Sequence, residues 1–390
     1  MILKSNYQQK FATILLLLYI NMNLFKIKNS EIQKYVNSSS NIVERKQTLP
    51  ILANLLFSIE NNILSIKGFD QEIQVLCQLK IKSEQQIRFT VPARKLNDIL
   101  RNLPEEKDVS FSLLDGKIIL KCSTSQFSLL TIDADEFPQL LDHQSEEIQM
   151  IKLEKLKIKN ILQHVIFSMA SQDIRFYLNG LLIKVEQKNI FFVSTDGHRL
   201  SYYNVVVEEN IQAFSVIIPR KAILEIYKNL DISETKFIEI KNSKKFVSFT
   251  NANIEIKSKI IEGNFPDFTK VIPQENPIKI EIEREKLLKT LQRVSVLSND
   301  KIRGIRLTFN DNKLMVLCSN QDRESAEETI DINYVFDPLE IGFNVNYLLD
   351  ALSNINDDKI TLGLRDQNSS MLIQKKGNEH FKYVVMPMRI

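Results

Sequence analysis

The segment VPARKLNDILRNL, residues 91–103, returns as IPRKAILEIYKNL at 218–230 and, more faintly, as FNVNYLLDALSNI at 343–355. Pro92 and Pro219 lie 127 positions apart (219 − 92), and so do Leu103 and Leu230. In each copy the apolar residues recur at the three- and four-residue spacing of an amphipathic helix. Self-similarity at a fixed period is typical of a chain built from repeated units. The chain is therefore predicted to contain three copies of one unit.

A second helical segment leads each copy and is predicted at 30–36, 153–169 and 285–296. Between the two helices, alternating apolar and polar residues predict a strand, a turn and a strand at 55–70, 181–196 and 305–320. The turns fall at the polar groups 61–62, 187–189 and 310–312, which suit tight hairpins. Two corners, Glu136-Phe137-Pro138 and Asn264-Phe265-Pro266, also repeat. The fold class is thus α+β, with three tandem similar domains of two helices and antiparallel sheets.

The repeat pattern lapses into polar and Pro-containing sequence at 144–148 and 273–277. We therefore predict domains at 22–147, 148–275 and 276–390. Residues 1–21 are predicted to be an upstream extension, with Met22 as the functional start. Their apolar run, Phe11 to Ile20, is too short to span a bilayer, and no small-residue cleavage site follows it. A secretory signal is the alternative interpretation.

Three similar domains joined end to end make an arc, and a symmetric pair of arcs closes into a ring of six domains. A fold by itself does not establish a function, and a triplicated α+β chain could equally be a monomeric interaction scaffold.

The positions of the basic residues suggest a partner for such a ring. The chain has 51 Lys and Arg against 48 Asp and Glu, and the net charge of +3 is too small to indicate nucleic-acid binding. Five of the six predicted helices nevertheless carry basic residues, which could neutralise phosphates without reading base sequence. The alternative is an ordinary solvated helix face. These residues are Lys34; Arg94, Lys95 and Arg101; Lys155, Lys157 and Lys159; Arg220, Lys221 and Lys228; and Lys286, Lys289 and Arg293.

Catalytic and metal-binding patterns are missing from the sequence. With nine glycines, the chain has neither a GxxxxGK[ST] loop nor a GxGxxG fingerprint. The histidines, His143, His164, His198 and His380, show no metal-ligand spacing. The cysteines, Cys77, Cys122 and Cys318, are odd in number and far apart, which argues against disulfides and zinc and fits a reducing cytoplasm. No cofactor and no metal are expected.

Three acidic or mixed segments could suggest an enzyme. Asp133, Asp135 and Glu136 precede Pro138 and are interpreted as a solvated corner, and the acidic stretch from Asp322 to Glu328 as an exposed face. In TDGHRL, residues 195–200, Asp196 and His198 could serve a hydrolase or nuclease, but spacing supplies no nucleophile and no orienting partner. That enzyme is the alternative function.

Eight motifs resemble one family, the bacterial DNA polymerase III beta subunit, or DNA sliding clamp. They are TLPIL (48–52), VPARK (91–95), RFYLNG (175–180), TDGHRL (195–200), IIPRK (217–221), GNFPDF (263–268), IGFNVNYLLDAL (341–352) and VVMPMRI (384–390). The resemblance spans about 22–390 and implies a head-to-tail homodimer, whose helices line a hole for duplex DNA. It implies a non-enzymatic polymerase processivity factor in the cytoplasm.

The resemblance also implies a cleft between the second and third domains that captures short peptides of polymerases, the clamp loader and repair proteins. Flexible Met and aliphatic walls would let one pocket accept several related anchors. The alternative for the C-terminal MPMRI is a frayed tail. The implied cleft residues are Arg175, Leu178, Thr195, Gly197, His198, Arg199, Leu200, Pro266, Val271, Val384, Met386, Pro387 and Met388.

Two further residue sets follow from the same resemblance. The DNA-binding residues would be Lys46, Arg94, Lys95, Gln172, Tyr177, Arg220 and Lys221. The dimer interface would place Phe127 and Leu129 of one chain against Val296 and Leu297 of the other. Thr124 and Gln126 stand where some relatives have basic residues, which puts ion pairing with the Asp322 to Glu328 stretch in doubt.

Overall fold

The structure is a computed structural model that describes residues 22–44, 49–138, 140, 148–243, 245–299, 302–375 and 377–389. Its contacts divide these residues into two compact units. Unit 1 consists of the described residues up to Lys152 together with Lys228–Lys259, and unit 2 of Leu153–Tyr227 together with those from Ile260 onward. The predicted extension 1–21, Lys46, His143 and the first predicted boundary up to residue 147 lie outside the described residues.

Six α-helices occur in the described part of the chain, two in each repeat. They are α1 Asn29–Asn41, α2 Ala93–Asn102, α3 Lys155–Val165, α4 Arg220–Asn229, α5 Arg284–Val294 and α6 Val345–Asn354. All six predicted helices are confirmed. The predicted start of α3 at residue 153 is wrong, because Ile151 and Leu153 alternate with exposed residues and belong to the strand before it.

The described residues also form twenty-four strands, and the three predicted strand, turn, strand segments are among them. The strands are β1 Met22–Lys28, β2 Asn54–Glu60, β3 Ile63–Phe69, β4 Ile73–Lys80, β5 Ile87–Pro92, β6 Asp108–Leu114, β7 Lys117–Cys122, β8 Ser125–Leu130, β9 Gln149–Glu154, β10 Gly180–Glu186, β11 Asn189–Thr195, β12 Arg199–Val206, β13 Phe214–Pro219, β14 Phe237–Asn242, β15 Phe246–Asn251, β16 Ile254–Lys259, β17 Ile278–Glu283, β18 Gly304–Asn310, β19 Lys313–Ser319, β20 Ser325–Asp331, β21 Leu339–Asn344, β22 Lys359–Leu364, β23 Met371–Lys375 and β24 Asn378–Val385.

These strands form four antiparallel sheets. Those of unit 1 have the orders β1-β6-β7-β8 and β5-β2-β3-β4-β16-β15-β14-β9. Those of unit 2 have the orders β20-β19-β18-β21 and β13-β10-β11-β12-β24-β23-β22-β17. Each eight-stranded sheet thus joins four strands of one repeat to four of the next. This pairing explains why 228–259, from the middle repeat, belongs with unit 1.

The hairpin turns have the left-handed backbone that a tight two-residue connection requires. Asn61 and Asn62 have φ of 51° and 62°, and Asp311 and Asn312 have φ of 49° and 60°. Asn and Asp tolerate this region better than most residues. The turn chemistry read from the sequence therefore sets the register of β2 with β3 and of β18 with β19.

Helices cover one face of each sheet, and close approach depends on a glycine in unit 1. A Cβ added to Gly68 of β3 would lie 2.2 Å from the Ser39 carbonyl oxygen of α1. In the first and third repeats, the side chain of the first residue of the leading helix donates hydrogen bonds to carbonyl groups at the end of the second helix. Asn29 Nδ2 donates to the Leu100 and Leu103 carbonyls at 2.9 and 3.0 Å. In the third repeat Arg284 does the same, donating to the Leu352 carbonyl at 3.0 Å.

Eight strands form the sheet edges in the described part of the chain, and two of them lack the partner strand that their counterparts in the other repeats have. They are β8, in the first repeat, and β20, in the third. The corresponding edges at the other repeat junctions are paired, β4 with β16 and β12 with β24. No helix in this part of the chain is both long and apolar enough to cross a membrane.

Candidate peptide cleft and partner surfaces

The turn between β11 and β12 is built by the Asp196 side chain. Its Oδ1 accepts from the backbone N–H groups of His198 and Arg199 at 3.0 and 3.1 Å. Gly197 between them has φ of +89°, which glycine adopts without strain. The Thr195 hydroxyl closes the turn, donating to the Arg199 carbonyl at 2.6 Å and accepting from the Gly197 N–H at 3.0 Å. The TDGHRL motif is therefore a rigid turn at a strand junction.

Arg175 lies directly against this turn. A Cβ on Gly197 would be 3.0 Å from the Arg175 Nη1 and Nη2 atoms. Arg175 Nη2 donates to the Asp196 carbonyl at 3.2 Å and to Asp173 Oδ2 at 2.8 Å, and Nε donates to Asp173 Oδ1 at 3.0 Å. These hydrogen bonds from Arg175 lower the pKa of Asp173 to about 2. Asp173 therefore holds the guanidinium in one orientation beside the turn.

Arg199 faces the interior of unit 2. Its Nε donates to Asp196 Oδ2 at 3.0 Å, its Nη1 to Asp350 Oδ2 at 2.5 Å and its Nη2 to the Phe167 carbonyl at 2.6 Å. The guanidinium also lies 4.6 Å from the centre of the Tyr347 ring. One side chain thus connects the turn to both α6 and the segment after α3.

The C-terminal segment is anchored beside the same turn. In the β12 and β24 pairing, Leu200 lies opposite Val384. Beyond the strand, the Met386 N–H donates to the His198 carbonyl at 2.9 Å, and the Met388 N–H donates to the Gly342 carbonyl at 2.9 Å. Met386 remains 40% exposed. The described part of the tail is therefore bound along its length, against the frayed-tail interpretation.

An apolar cluster forms the floor of this region. Of the cleft residues expected from the sequence, Leu200 and Val384 belong to its buried core and Val271 packs against it, whereas Pro266 is exposed. Leu178 is buried in the short 3-10 helix Phe176–Leu178. The structure places further buried residues on this floor, which the family motifs did not include. They are Leu182, Val193, Ile217, Phe268, Ile272 and Leu372. The alternation of apolar and polar residues in the predicted strands indicated that some of them are buried.

The enzyme alternative finds no catalytic geometry at this turn. The Asp196 carboxylate is occupied by two backbone amides and Arg199. The exposed His198 ring stacks at 6.4 Å from the Tyr347 ring, and not on Asp196. Among the described residues, no group of three or more His, Cys, Asp or Glu could hold a metal ion. The arrangement is an apolar floor with an anchored backbone rim, which suits a bound peptide.

Three family models match consecutive parts of the chain. They describe the N-terminal, central and C-terminal domains of the DNA polymerase III beta subunit and match residues 22–141, 152–267 and 269–389. The chain belongs to the DNA polymerase III beta subunit family. Members are sliding clamps, and this chain is accordingly a non-catalytic processivity clamp that tethers DNA polymerase.

Individual clamps are similar to the chain over nearly its full length. The beta sliding clamp of Pseudomonas putida is 36% identical over 368 residues, which cover 94% of this chain and 100% of the relative. That of Escherichia coli K12 is 34% identical over 367 residues, with the same coverage.

Solved clamp structures share the fold. A Pseudomonas aeruginosa clamp bound to griselimycin superposes with a TM-score of 0.90 at 34% identity, over 95% of this chain and 100% of that one. A Caulobacter crescentus clamp gives 0.88 at 28% identity, over 95% and 100%. The predicted α+β fold of three clamp domains is confirmed.

The expected DNA-binding residues lie on and beside the helices of this clamp. Arg94 and Lys95 are exposed on the first turn of α2, and Arg94 Nη2 donates to the Val43 carbonyl at 3.2 Å. In unit 2, Gln172 is exposed with φ of 59°. Arg220 is half-buried, and its Nη1 donates to the Ile166 and Met169 carbonyls at 3.1 and 2.8 Å. Arg220 therefore also supports the backbone after α3. Tyr177 and Lys221 are likewise half-buried.

The expected interface residues of the clamp lie on β8 and near β20, the two edge strands whose counterparts are paired in the other repeats. Phe127 and Leu129 share one face of β8, and Leu129 is buried by its own sheet. Val296, after α5, is 77% exposed, and Leu297 is half-buried. Glu328 on β20 is already paired within its own unit. Hydrogen bonds from Arg293 and Thr290 lower its pKa to about 2.

Proposed function

We propose that two copies of this chain close head to tail into a six-domain ring, which encircles duplex DNA and tethers partners through the cleft at the Thr195–Leu200 turn. One observation supports this proposal most strongly. Two repeat junctions are antiparallel strand pairs within the chain, β4 with β16 and β12 with β24. The third pair of edges, β8 and β20, is unpaired among the described residues, and β8 of one copy can pair with β20 of another. Unpaired edges are sites of strand addition.

The repeat also yields a register for this intermolecular junction. The turns at 123–124 and 252–253 are equivalent in the repeat, so Phe127 of β8 holds the position that Ile256 holds in β16. In the same way, the turns at 61–62 and 311–312 are equivalent, so Ala326 of β20 holds the position that Val75 holds in β4. Val75 lies opposite Ile256 within the chain. Ala326 is therefore placed opposite Phe127 of the second copy, and Ser325 opposite Ser128.

The proposed junction relies on apolar contacts more than on ion pairs. The exposed Val296 and the 69% exposed Leu130 supply apolar surface near the two edges. The same register places Glu327 opposite Gln126, and an uncharged glutamine cannot form an ion pair with it. Glu328 is held by Arg293 of its own chain, with Arg293 Nε at 2.9 Å. The junction is therefore proposed to form without ion pairs between the two copies, and the dimer should be insensitive to salt.

The helices are proposed to line the hole and to contact phosphates weakly. Enclosure holds the ring on DNA, so affinity for the backbone can stay low and sliding remains easy. Lys34, Arg101, Lys157 and Lys286 are exposed on four different helices. The contacts proposed for DNA are those of Lys46, Arg94, Lys95, Gln172, Tyr177, Arg220 and Lys221.

The cleft is proposed to bind short peptides of the clamp loader, replicative and translesion polymerases and repair proteins. Tethering raises a partner's effective concentration at the primer end. The peptide would lie on the apolar floor, along the rim formed by His198 and Met386. We further propose a cytoplasmic location and the three domains 22–147, 148–275 and 276–390.

Retention on DNA tests the ring. Chain loaded by a clamp loader should remain on nicked circular DNA and run off linear DNA of the same length. Equal retention on both substrates would exclude a sliding ring.

A crosslink tests the register: Ser325→Cys with Ser128→Cys should give a closed ring with a short bismaleimide, whereas Ser325→Cys with Ser125→Cys should not.

The cleft is tested separately by Met386→Ala with Met388→Ala. Both residues belong to the anchored C-terminal segment, and their backbone hydrogen bonds to His198 and Gly342 remain possible in the variant. Affinity for a clamp-binding peptide of a polymerase should fall at least about tenfold, since removal of two large apolar contacts costs more than 1.4 kcal/mol. The dimer should remain intact by light scattering. Unchanged peptide affinity would remove the cleft assignment.

A further inference from the structure

A second pocket, of about 540 Å³, lies in unit 2 against strand β13 and the 260–268 segment. Of the cleft residues expected from the sequence, Pro266 alone lines it among the residues the structure describes. The Thr195–Leu200 turn and the C-terminal segment are absent from its lining. It shares Leu182, Ile217 and Phe268 with the floor of the cleft, but it lies beside β13 and not at the Thr195–Leu200 turn.

One wall of this pocket is the open edge of a sheet. Strand β13 pairs with β10 on one side, and on the other the Ile261 N–H donates to the Ile217 carbonyl at 2.8 Å. Alternate residues of a strand direct their N–H and C=O groups to the same side. Ser215, two residues before Ile217, therefore presents both groups outward. Within the described residues, no backbone hydrogen bond satisfies them on that side.

The same edge position is protected in the other two repeats. Arg88, the counterpart of Ser215 on β5, donates to the Ala134 carbonyl at 3.2 Å and pairs with Asp135 at 3.2 Å, which covers the edge. The counterpart on β21 is Glu340, which pairs with Arg306 at 3.3 Å. Charged side chains are a common protection of sheet edges against strand addition. In the middle repeat the exposed Ser215 provides no such protection.

The interior of the pocket is apolar, and its rim has one uncompensated charge. The apolar lining comes from Leu182, Ile217, Ile261, Phe265 and Phe268. Three charged residues also line the pocket. Lys184 lies 2.5 Å from Glu186, and Asp267 lies 3.4 Å from Lys270. The third, Glu262, is exposed and forms no ion pair among the described residues. The rim therefore favours a cation.

We propose that this pocket is a second peptide-binding site, which shares part of the cleft floor but not the cleft rim, for an extended segment of a partner protein with a bulky apolar residue beside a Lys or Arg. The segment adds a short strand to β13 by pairing with the Ser215 N–H and C=O. Its apolar side chain enters between Phe265 and Phe268, and its cation faces Glu262. Main-chain pairing supplies affinity in this mode, and the pocket supplies specificity.

Fluorescence anisotropy with defined peptides tests the proposal on the full chain. A labelled KTFTK peptide should bind at least about tenfold more tightly than KTATK, which lacks the apolar anchor, and than ETFTE, which reverses the charge. Ser215→Arg, which fills the edge as Arg88 does, should abolish KTFTK binding without shifting the thermal unfolding midpoint. Glu262→Gln should weaken KTFTK binding and leave the KTATK signal unchanged.

Three results of the peptide-binding experiments would overturn the proposal. They are equal affinity of the parent chain for KTFTK and KTATK, undiminished KTFTK binding by S215R, and no measurable binding of any of the peptides. A smaller assembly of S215R than of the parent by sedimentation would also overturn it, because the occupant of the edge would then be a second copy of this chain.

Discussion

Asp350 Oδ2 lies 2.5 Å from Arg199 Nη1, and this ion pair joins helix α6 of the third repeat to strand β12 of the second. The same guanidinium reaches Asp196 and the Phe167 carbonyl, so three separate elements depend on one side chain. Because these acceptors are planar groups in fixed positions, they suit the fork of an arginine and not the single charge of a lysine.

Arg199→Lys is expected to destabilise unit 2 although it preserves charge. The lysine can serve one acceptor, leaving the others desolvated, at a cost of about 2 to 4 kcal/mol. Urea unfolding followed by fluorescence or circular dichroism measures the loss. Arg306→Lys is the control, since its pair with Glu340 is more exposed and should contribute less than about 1 kcal/mol. Equal effects of the two variants would contradict the role given to Arg199.

Gly197→Ala should disturb the cleft by two routes. The residue has φ of +89°, and a Cβ would lie 3.0 Å from the Arg175 guanidinium. We expect a loss of about 1 to 3 kcal/mol in unfolding free energy and weaker peptide binding. Gly377→Ala is the matched control, because Gly377 has φ of +69° with nothing within 4 Å of its Cβ position. It should share the backbone cost while leaving peptide affinity unchanged.

His164 predicts a pH dependence of stability. Its ring is fully buried against Tyr203 and Phe381, and burial lowers its pKa below the usual 6.5. As pH falls below 6.5, the unfolded chain gains a proton that the folded chain resists, so stability should decrease toward the lower folded pKa. Urea titrations at pH 7.5 and 5.5 measure this loss. His164→Phe should flatten the difference, and an unchanged slope would refute the assignment.

Gly68→Ala tests the contact between α1 and β3. A methyl group there would lie 2.2 Å from a backbone oxygen, so the helix must move. Overpacking of this kind typically costs about 1 to 3 kcal/mol or more, and a lower thermal midpoint is expected. In Gly116→Ala the added Cβ meets nothing within 4 Å, and only the strain of its φ of +66° applies. A midpoint for G68A at or above that of G116A would be inconsistent with the packing described.

Arg94→Ala with Lys95→Ala should weaken DNA binding uniformly across sequences. Each lost phosphate contact is expected to lower the slope of log affinity against log salt by about 0.9. Electrophoretic mobility or anisotropy over a salt series measures the slope. Lys80→Ala with Lys82→Ala, a pair of exposed lysines at the end of β4, is matched in charge and should leave the slope unchanged.

Much of the fold was accessible from the sequence because each repeat combines helical periodicity with turn residues of the required geometry. Asn61 and Asn62 illustrate this, since a hairpin turn needs the left-handed conformation that they adopt. The exception is the start of α3, where Leu153 continues a strand. There the same apolar residues fit both the end of a short strand and the start of a helix. Pairing with neighbouring strands determines which of the two forms.

The candidate cleft was predictable only in part. The TDGHRL motif pointed to the turn, but the roles of its residues differ, since Asp196 builds the turn while Arg199 is directed inward. Phe268 and Leu372 lie far apart in sequence and meet on the cleft floor through sheet pairing. Such long-range contacts leave no local signal in one sequence. The open edge at Ser215 became apparent only by comparison with Arg88 and Glu340.

The unequal junctions described above give the proposed ring a built-in place to open. Where β4 meets β16 or β12 meets β24, separation would break one continuous eight-stranded sheet, and the chain would have to unfold locally. Where β8 meets β20 of another copy, two finished four-stranded sheets part and each stays folded. A protein that loads the ring onto DNA therefore has to separate only two of its six junctions. These are the two junctions between copies, where each chain stays folded after the strands part.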